Sequence, residues 1–296
     1  MQALPPPGGP PAGWYPDPGG YGLRYFDGWQ WGPYAYGAPA PAATPVERGP
    51  HPTLPLWAAL GALVVLALSL VVQHTVARLL DDADLPILAT AGIGIVLAYG
   101  PSLAWAWHVL GRMGGGIGRL GWKFRWVDAG WGPLTWLGSV IAEVTVVLVA
   151  TRLFDVPFES NVGTTDDDVT AAYVTAMILS ACVAAPLVEE LIFRGVVLRG
   201  LVGRIGVIAA VPVQGVLFGL AHIDPIDRGW GNIGLVLALS TVGCGLGLVT
   251  VLTRRIGAAI VAHTLLNGFV LTMVLTGAAD DVNRDVNRLV ALLPFV

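Results

Sequence analysis

The stretch ACVAAPLVEELIFRGVVL (181–198) decides how this chain is read. It is apolar enough to lie in a membrane, yet it carries Glu189, Glu190 and Arg194 near its middle. A charge at the centre of a membrane helix costs about 2.5–3.5 kcal/mol on insertion scales, while each Leu, Ile, Val or Phe returns about 0.3–0.6 kcal/mol. Three charges therefore outweigh most of the apolar gain of their own helix. They must face a bundle interior and be paired, or one carboxyl must hold a proton. Glu190 and Arg194 are spaced i,i+4 and share a helix face. Glu189 points about 100° away. An ion pair accounts for Glu190 and Arg194 but gives Glu189 no structural reason to be there.

The surrounding composition agrees with a membrane. The 296 residues are 55% hydrophobic and 12% charged, against about 25% charged in ordinary soluble domains. A net charge of −4 and the lack of a basic block give nothing for nucleic acid to bind. Cys182 and Cys244 sit in apolar runs and read as small buried hydrophobes. The expected fold class is all-α: a polytopic transmembrane bundle of about seven spans, near 55–77, 85–110, 133–154, 170–200, 205–223, 232–253 and 257–277. The closing RLVALLPFV (288–296) is too short to span and is expected at the interface or on the bundle.

The loops suggest an orientation. Arg112, Arg119, Lys123 and Arg125 follow the second span, Arg199 and Arg204 the fourth, and Arg254 and Arg255 the sixth. The alternate loops are acidic or poor in basic residues: Asp81, Asp82 and Asp84; Asp155, Glu159 and Asp166 to Asp168; Asp224, Asp227 and Arg228. Basic loops stay in the cytoplasm, so the N-terminus is expected inside and the C-terminus outside.

Residues 1–34 are a separate small unit, and 35–54 a Pro/Ala linker to the membrane domain at 55–296. The unit's centre, GWYPDPGGYGLRYFDGWQWGPY (13–34), is denser in aromatics than a disordered tail. Its Pro and Gly residues supply turns, and a small aromatic-cored hairpin is expected. It does not read as a signal peptide.

Partners for Glu189 are sought among the remaining polar residues. His51 is in the linker, and His74 and His108 lie near span ends and read as interfacial. His222 closes VLFGLAHI (216–223), four residues after Phe218; His263 lies in AAIVAHTLLNGFVL (258–271), four residues before Asn267. Taken singly, each of these two histidines is more often a packed core residue than a ligand. At 1.5 Å per residue, Glu189 stands roughly 16 Å from Gly200, His263 roughly 9 Å from Gly257 and His222 roughly 25 Å from Ile205. The groups can meet if the fourth helix runs beyond Arg194.

Glu189-Glu190-x-x-x-Arg194, Phe218-x-x-x-His222 and His263-x-x-x-Asn267 together resemble the three motifs of the CPBP family, the CAAX-protease and bacteriocin-processing (Abi) intramembrane endopeptidases. The resemblance covers about 130–277. It implies peptide-bond hydrolysis in or beside a bacterial cytoplasmic membrane, on membrane-associated protein or peptide substrates. It implies Glu189 as the general base that activates water, and His222 as the residue that positions that water or binds a metal. His263 and Asn267 would stabilise the oxyanion or complete the metal site, with Glu190, Arg194 and Phe218 in support. The chemistry is physically reasonable: a carboxylate withheld from bulk water suits a base, and preorganised donors stabilise an oxyanion. Glu189, His222 and His263 also form a set that could hold zinc with water in the fourth position. The compact His-Glu-x-x-His helix is missing, and metal-free glutamate chemistry is equally compatible. The N-terminal unit resembles a short bacterial domain of unknown function that begins Gly-Trp-Tyr-Pro-Asp-Pro; a protein partner is expected for it. Two other functions fit the composition. One is a catalytically silent scaffold or bacteriocin-immunity protein. The other is a proton-coupled transporter, against which no repeat of the polar residues between two halves is seen.

Overall fold

The computed structural model describes residues 10–16, 23–36, 53–80, 83, 85–154, 156, 169–223 and 233–276. Asp81, Asp82, Asp84, Asp155, Glu159, Asp166 to Asp168, Asp224, Asp227, Arg228, His51, most of the linker and RLVALLPFV lie outside the described residues. The chain divides into two compact units, Met1–Pro50 and His51–Val296.

The first unit holds a three-stranded antiparallel meander: β1 (Gly13–Pro16), β2 (Leu23–Phe26) and β3 (Trp31–Tyr36). The expected hairpin is extended by one strand. Trp14 pairs across strands with Tyr25, their rings 5.3 Å apart and edge to face, and Phe26 packs on Trp31 at 5.1 Å. Asp27 builds the β2–β3 turn. Its Oδ1 accepts from the Trp29 and Gln30 amides at 2.8 Å each, which holds its carboxyl below the usual carboxylate range, and Gly28 supplies a φ of +99°.

The second unit is a helical bundle: α1 (Leu56–Leu79), α2 (Ile87–Met113), α3 (Asp128–Phe154), α4 (Ala171–Leu220), α5 (Ile233–Thr253) and α6 (Gly257–Leu275). Among the described residues these six are long and apolar enough to cross a membrane. Large apolar side chains face outward along them, with Ile208 at 93% and Trp107 at 77% exposed. Such a surface belongs in lipid, and the chain is an integral membrane protein.

The helix α4 reconciles six helices with seven spans. Gly206 breaks it with φ +74° and ψ 169°, a backbone that side chains rarely adopt. A straight helix would separate Glu189 from His222 by about 50 Å. Glu189 Oε2 and His222 Nε2 are instead 3.7 Å apart. The chain therefore turns back at Gly206 into two antiparallel arms, 171–205 and 207–220, and the first arm runs past Arg194 as the site requires. The second arm packs closely on α5. A Cβ at Gly215 would come within 2.8 Å of the Ser240 carbonyl oxygen, and one at Gly243 within 2.9 Å of the Gly215 Cα. Gly215-x-x-x-Gly219 and Gly243-x-x-x-Gly247 are the small-residue seams by which membrane helices approach.

The basic loops meet at one end of the bundle. Arg255 Nη2 reaches Asp128 Oδ1 at 2.6 Å, the Ile256 amide donates to the Gly121 carbonyl at 2.9 Å, and the Leu54 amide donates to the Arg199 carbonyl at 3.1 Å. Beneath them lies a core that includes Ala58, Val109, Leu120, Ile192, Val196 and Ile256. This end is closed.

Candidate active site

The first arm of α4 is irregular where its charges lie. The segment Ala185–Glu190 is α-helical between two π-helical stretches, Ile178–Ala184 and Leu191–Val197. Pro186 has no amide to donate to the preceding turn, and the wider ladder before it absorbs that loss. Asn267 Nδ2 donates to the Ala181 carbonyl in the widened segment at 2.7 Å. Asn267 therefore ties α6 to α4, with one amide hydrogen committed to that bond.

Glu190 and Arg194 are both fully buried, with Arg194 Nη1 2.8 Å from Glu190 Oε1. Arg194 Nη2 also donates to the Gly243 carbonyl at 3.2 Å, and its guanidinium lies 4.5 Å from the Phe218 ring centroid. Glu190 Oε1 takes a second donor, His263 Nδ1, at 2.9 Å. Glu190 Oε1 accepts from Arg194, so His263 Nδ1 is the donor in the second bond, and in the neutral ring Nε2 then bears the lone pair. The same logic applies to His222. Its Nδ1 is 2.8 Å from the Phe218 carbonyl, which can only accept, so Nδ1 is the donor and in the neutral ring Nε2 bears the lone pair. Phe218 further supports His222 by ring packing at 4.6 Å.

Both Nε2 atoms face Glu189. Its Oε2 lies 3.7 Å from His222 Nε2 and 3.9 Å from His263 Nε2, and has no hydrogen-bond partner among the described residues. With both rings neutral these are three acceptors at distances too long for direct hydrogen bonds, an arrangement that suits a bridging donor. Glu189 Oε1 accepts from the Tyr99 hydroxyl at 2.9 Å. Tyr99 comes from α2, and the motifs gave no sign of it. A phenol in an apolar helix is a weak signal without the fold. Glu189, Tyr99, His222, His263 and Asn267 all line one cavity of about 900 Å³.

The structure thus brings together every candidate site residue read from the three motifs. Glu189, His222 and His263 meet at Glu189 Oε2; Glu190, Arg194, Phe218 and Asn267 stand behind them. Two imidazole nitrogens and a carboxylate oxygen are donor types that zinc takes. As placed, however, no group of three or more His, Cys, Asp or Glu among the described residues gathers as a metal-holding cluster.

Fold and site define a polytopic membrane protein with a polar centre enclosed by apolar helices. Within it, residues 171–269 match the family model described as "Type II CAAX prenyl endopeptidase Rce1-like". That segment contains all three motifs, and the CAAX-protease resemblance drawn from them is borne out. The chain is also 28% identical over 102 residues to "Putative membrane peptidase YdiL" of Bacillus subtilis (strain 168), a match covering 34% of this chain and 38% of that relative. No solved structure matches significantly.

Proposed function

We propose that the chain is an intramembrane endopeptidase acting on membrane-associated proteins or peptides, with Glu189 as general base. The observation that carries this reading is the buried Glu189 Oε2, without a hydrogen-bond partner among the described residues, facing two imidazole Nε2 atoms in a cavity. A water at that point donates one hydrogen to Glu189 and the other to an imidazole. Glu189 takes a proton as the water oxygen bonds to the scissile carbonyl carbon. When the tetrahedral intermediate collapses, the C–N bond breaks and Glu189 returns the proton to the leaving amine. The second amide hydrogen of Asn267 is available to the developing oxyanion. Tyr99 holds Oε1 and so leaves Oε2 for the water. Glu190 offsets positive charge on His263 if that ring takes a proton. These steps use the chain's own groups, and zinc would act through Glu189, His222 and His263.

The test compares membrane peptidomes of cells expressing wild type and Glu189→Gln at equal levels. Cleavage products present only with wild type support the reading; identical peptidomes refute it. Assaying purified enzyme with and without chelator, beside metal analysis, decides whether zinc takes part.

A further inference from the structure

Glu143 is a second carboxyl within the membrane that the mechanism above does not use. It is the one charged residue of α3 between Asp128 and Arg152, and so lies near the middle of a spanning helix. Val140, Glu143, Val144, Val147 and Leu148 line the cavity at i, i+3, i+4, i+7 and i+8, a single face of α3. Tyr99, Glu189, His222, His263 and Asn267 line the same cavity. Glu143 is half-buried, and no hydrogen bond or ion pair joins it to another described residue.

Glu190 shows how this bundle treats a structural carboxyl: it is fully buried and matched by Arg194. Glu143 carries the cost of a charge in a membrane helix without that match. An ionisable side chain so placed marks a substrate path and needs a partner. Among the described residues no Lys or Arg lines the cavity; its ionisable groups are Tyr99, Glu143, Glu189, His222 and His263. The two imidazoles and Tyr99 are gathered at Glu189. Glu143 is thus left for a cation that arrives with the substrate, and a cavity lined by carboxyls attracts one.

The helices set the distance. Gly132 of α3 meets Val261 of α6 with no room for a Cβ, and Trp136 packs on Phe269, so the two helices run parallel. Counted from the Gly132–Val261 contact at 1.5 Å per residue, Glu143 stands roughly 16 Å along the bundle and His263 roughly 3 Å. An extended peptide covers that difference of about 13 Å in about four residues. We propose that Glu143 is a specificity residue that pairs with a Lys or Arg side chain of the substrate, about three to five residues from the scissile bond. The scissile-bond half of this rests on the peptidase reading; the preference for a cation does not.

The test has three measurements. Cleavage sites present with wild type and lost with Glu189→Gln are aligned on the cut: Lys or Arg is expected at one position about three to five residues away, and no basic preference there overturns the proposal. A peptide from one such site is then made with Lys or Gln at that position. Wild type should favour the Lys peptide at least about tenfold through KM, the worth of one charge-assisted hydrogen bond, and Glu143→Gln should lose that preference. A preference that survives Glu143→Gln overturns the proposal. Binding of an apolar single-span peptide with one central Lys, beside the same peptide with Gln, is measured on Glu189→Gln protein with and without Glu143→Gln. Tighter binding of the Lys peptide only where Glu143 is intact supports the cation site, and equal binding overturns it. This measurement needs no hydrolysis, so if Glu189→Gln abolishes no cleavage the peptidase reading falls while the role of Glu143 is still decided. The unfolding midpoint of Glu143→Gln in detergent should equal or exceed that of wild type. A lowered midpoint would mean that the carboxyl is already paired within the chain, and overturns the proposal.

Discussion

Glu190 and Glu189 are neighbours on one helix in opposite surroundings. The side chain of Glu190 is 0% exposed and is held by Arg194 from its own helix and His263 from α6. That of Glu189 is 14% exposed, lines the cavity and leaves one oxygen without a hydrogen-bond partner among the described residues. The difference separates two uses of charge in a membrane. A satisfied buried pair organises the helices and orients a histidine. An unsatisfied carboxylate beside it is available for chemistry. The helix geometry that sends adjacent side chains about 100° apart makes both uses available within one turn.

The largest effect should fall on activity at Glu189. Replacing Glu189 by Gln keeps shape and removes the base, and hydrolysis should fall about 10²–10⁴-fold, the usual contribution of a general base. Helix content and the midpoint of thermal unfolding in detergent should change little, because Gln keeps the side chain's shape and an oxygen to accept from the Tyr99 hydroxyl. Retained hydrolysis in Glu189→Gln would remove the contrast between the two carboxyls.

Glu190→Gln should act on stability as well. It leaves Arg194 buried without its anion, a change that costs about 3–5 kcal/mol. It also releases His263 Nδ1. The expected result is a large drop in unfolding midpoint together with loss of activity. Glu190→Gln combined with Arg194→Met should recover most of the midpoint and little of the activity, since His263 is still unsupported. If the double variant is as active as wild type, Glu190 has no role in orienting the histidine.

The helices, the Glu190–Arg194 pair and the three motifs were legible because each is a local pattern. An i,i+4 spacing or an apolar run shows in one dimension. The sequence suggested a break only as the gap 201–204 between two expected spans; the reversal falls at Gly206, inside the second of them, and its positive φ made it a finding of the structure. The π-helical stretches escaped notice, although Pro186 inside an apolar helix is the physical hint of a disturbed ladder. Asn267 was read as a site amide, and its bond to Ala181 depends on that disturbance. Tyr99 could not be found because it meets Glu189 across 90 residues of chain, and no spacing rule reaches that far.

Tyr99 supplies the next test. Removing its hydroxyl in Tyr99→Phe takes a hydrogen bond from a carboxylate, worth about 1.5–3 kcal/mol. The turnover rate should fall at least tenfold while KM stays within about twofold, because Tyr99 orients the base and does not bind the scissile bond. A change confined to KM would make Tyr99 a wall of the substrate cavity.

The smallest effect is expected from deleting residues 1–50. Tyr99, Glu189, Glu190, Arg194, His222, His263 and Asn267 all belong to the unit His51–Val296, which has its own packed core. Every described residue that contacts Glu189 or Glu190 belongs to that unit. Hydrolysis of a model membrane peptide by the truncated protein should therefore match the full chain within about twofold. If the N-terminal sheet recruits a protein partner, the truncation should alter which cellular substrates are cut while leaving that rate alone. A large loss of hydrolysis would mean that residues 1–50 help build the environment of Glu189, and the two carboxylates would then owe their difference to more than the bundle that encloses them.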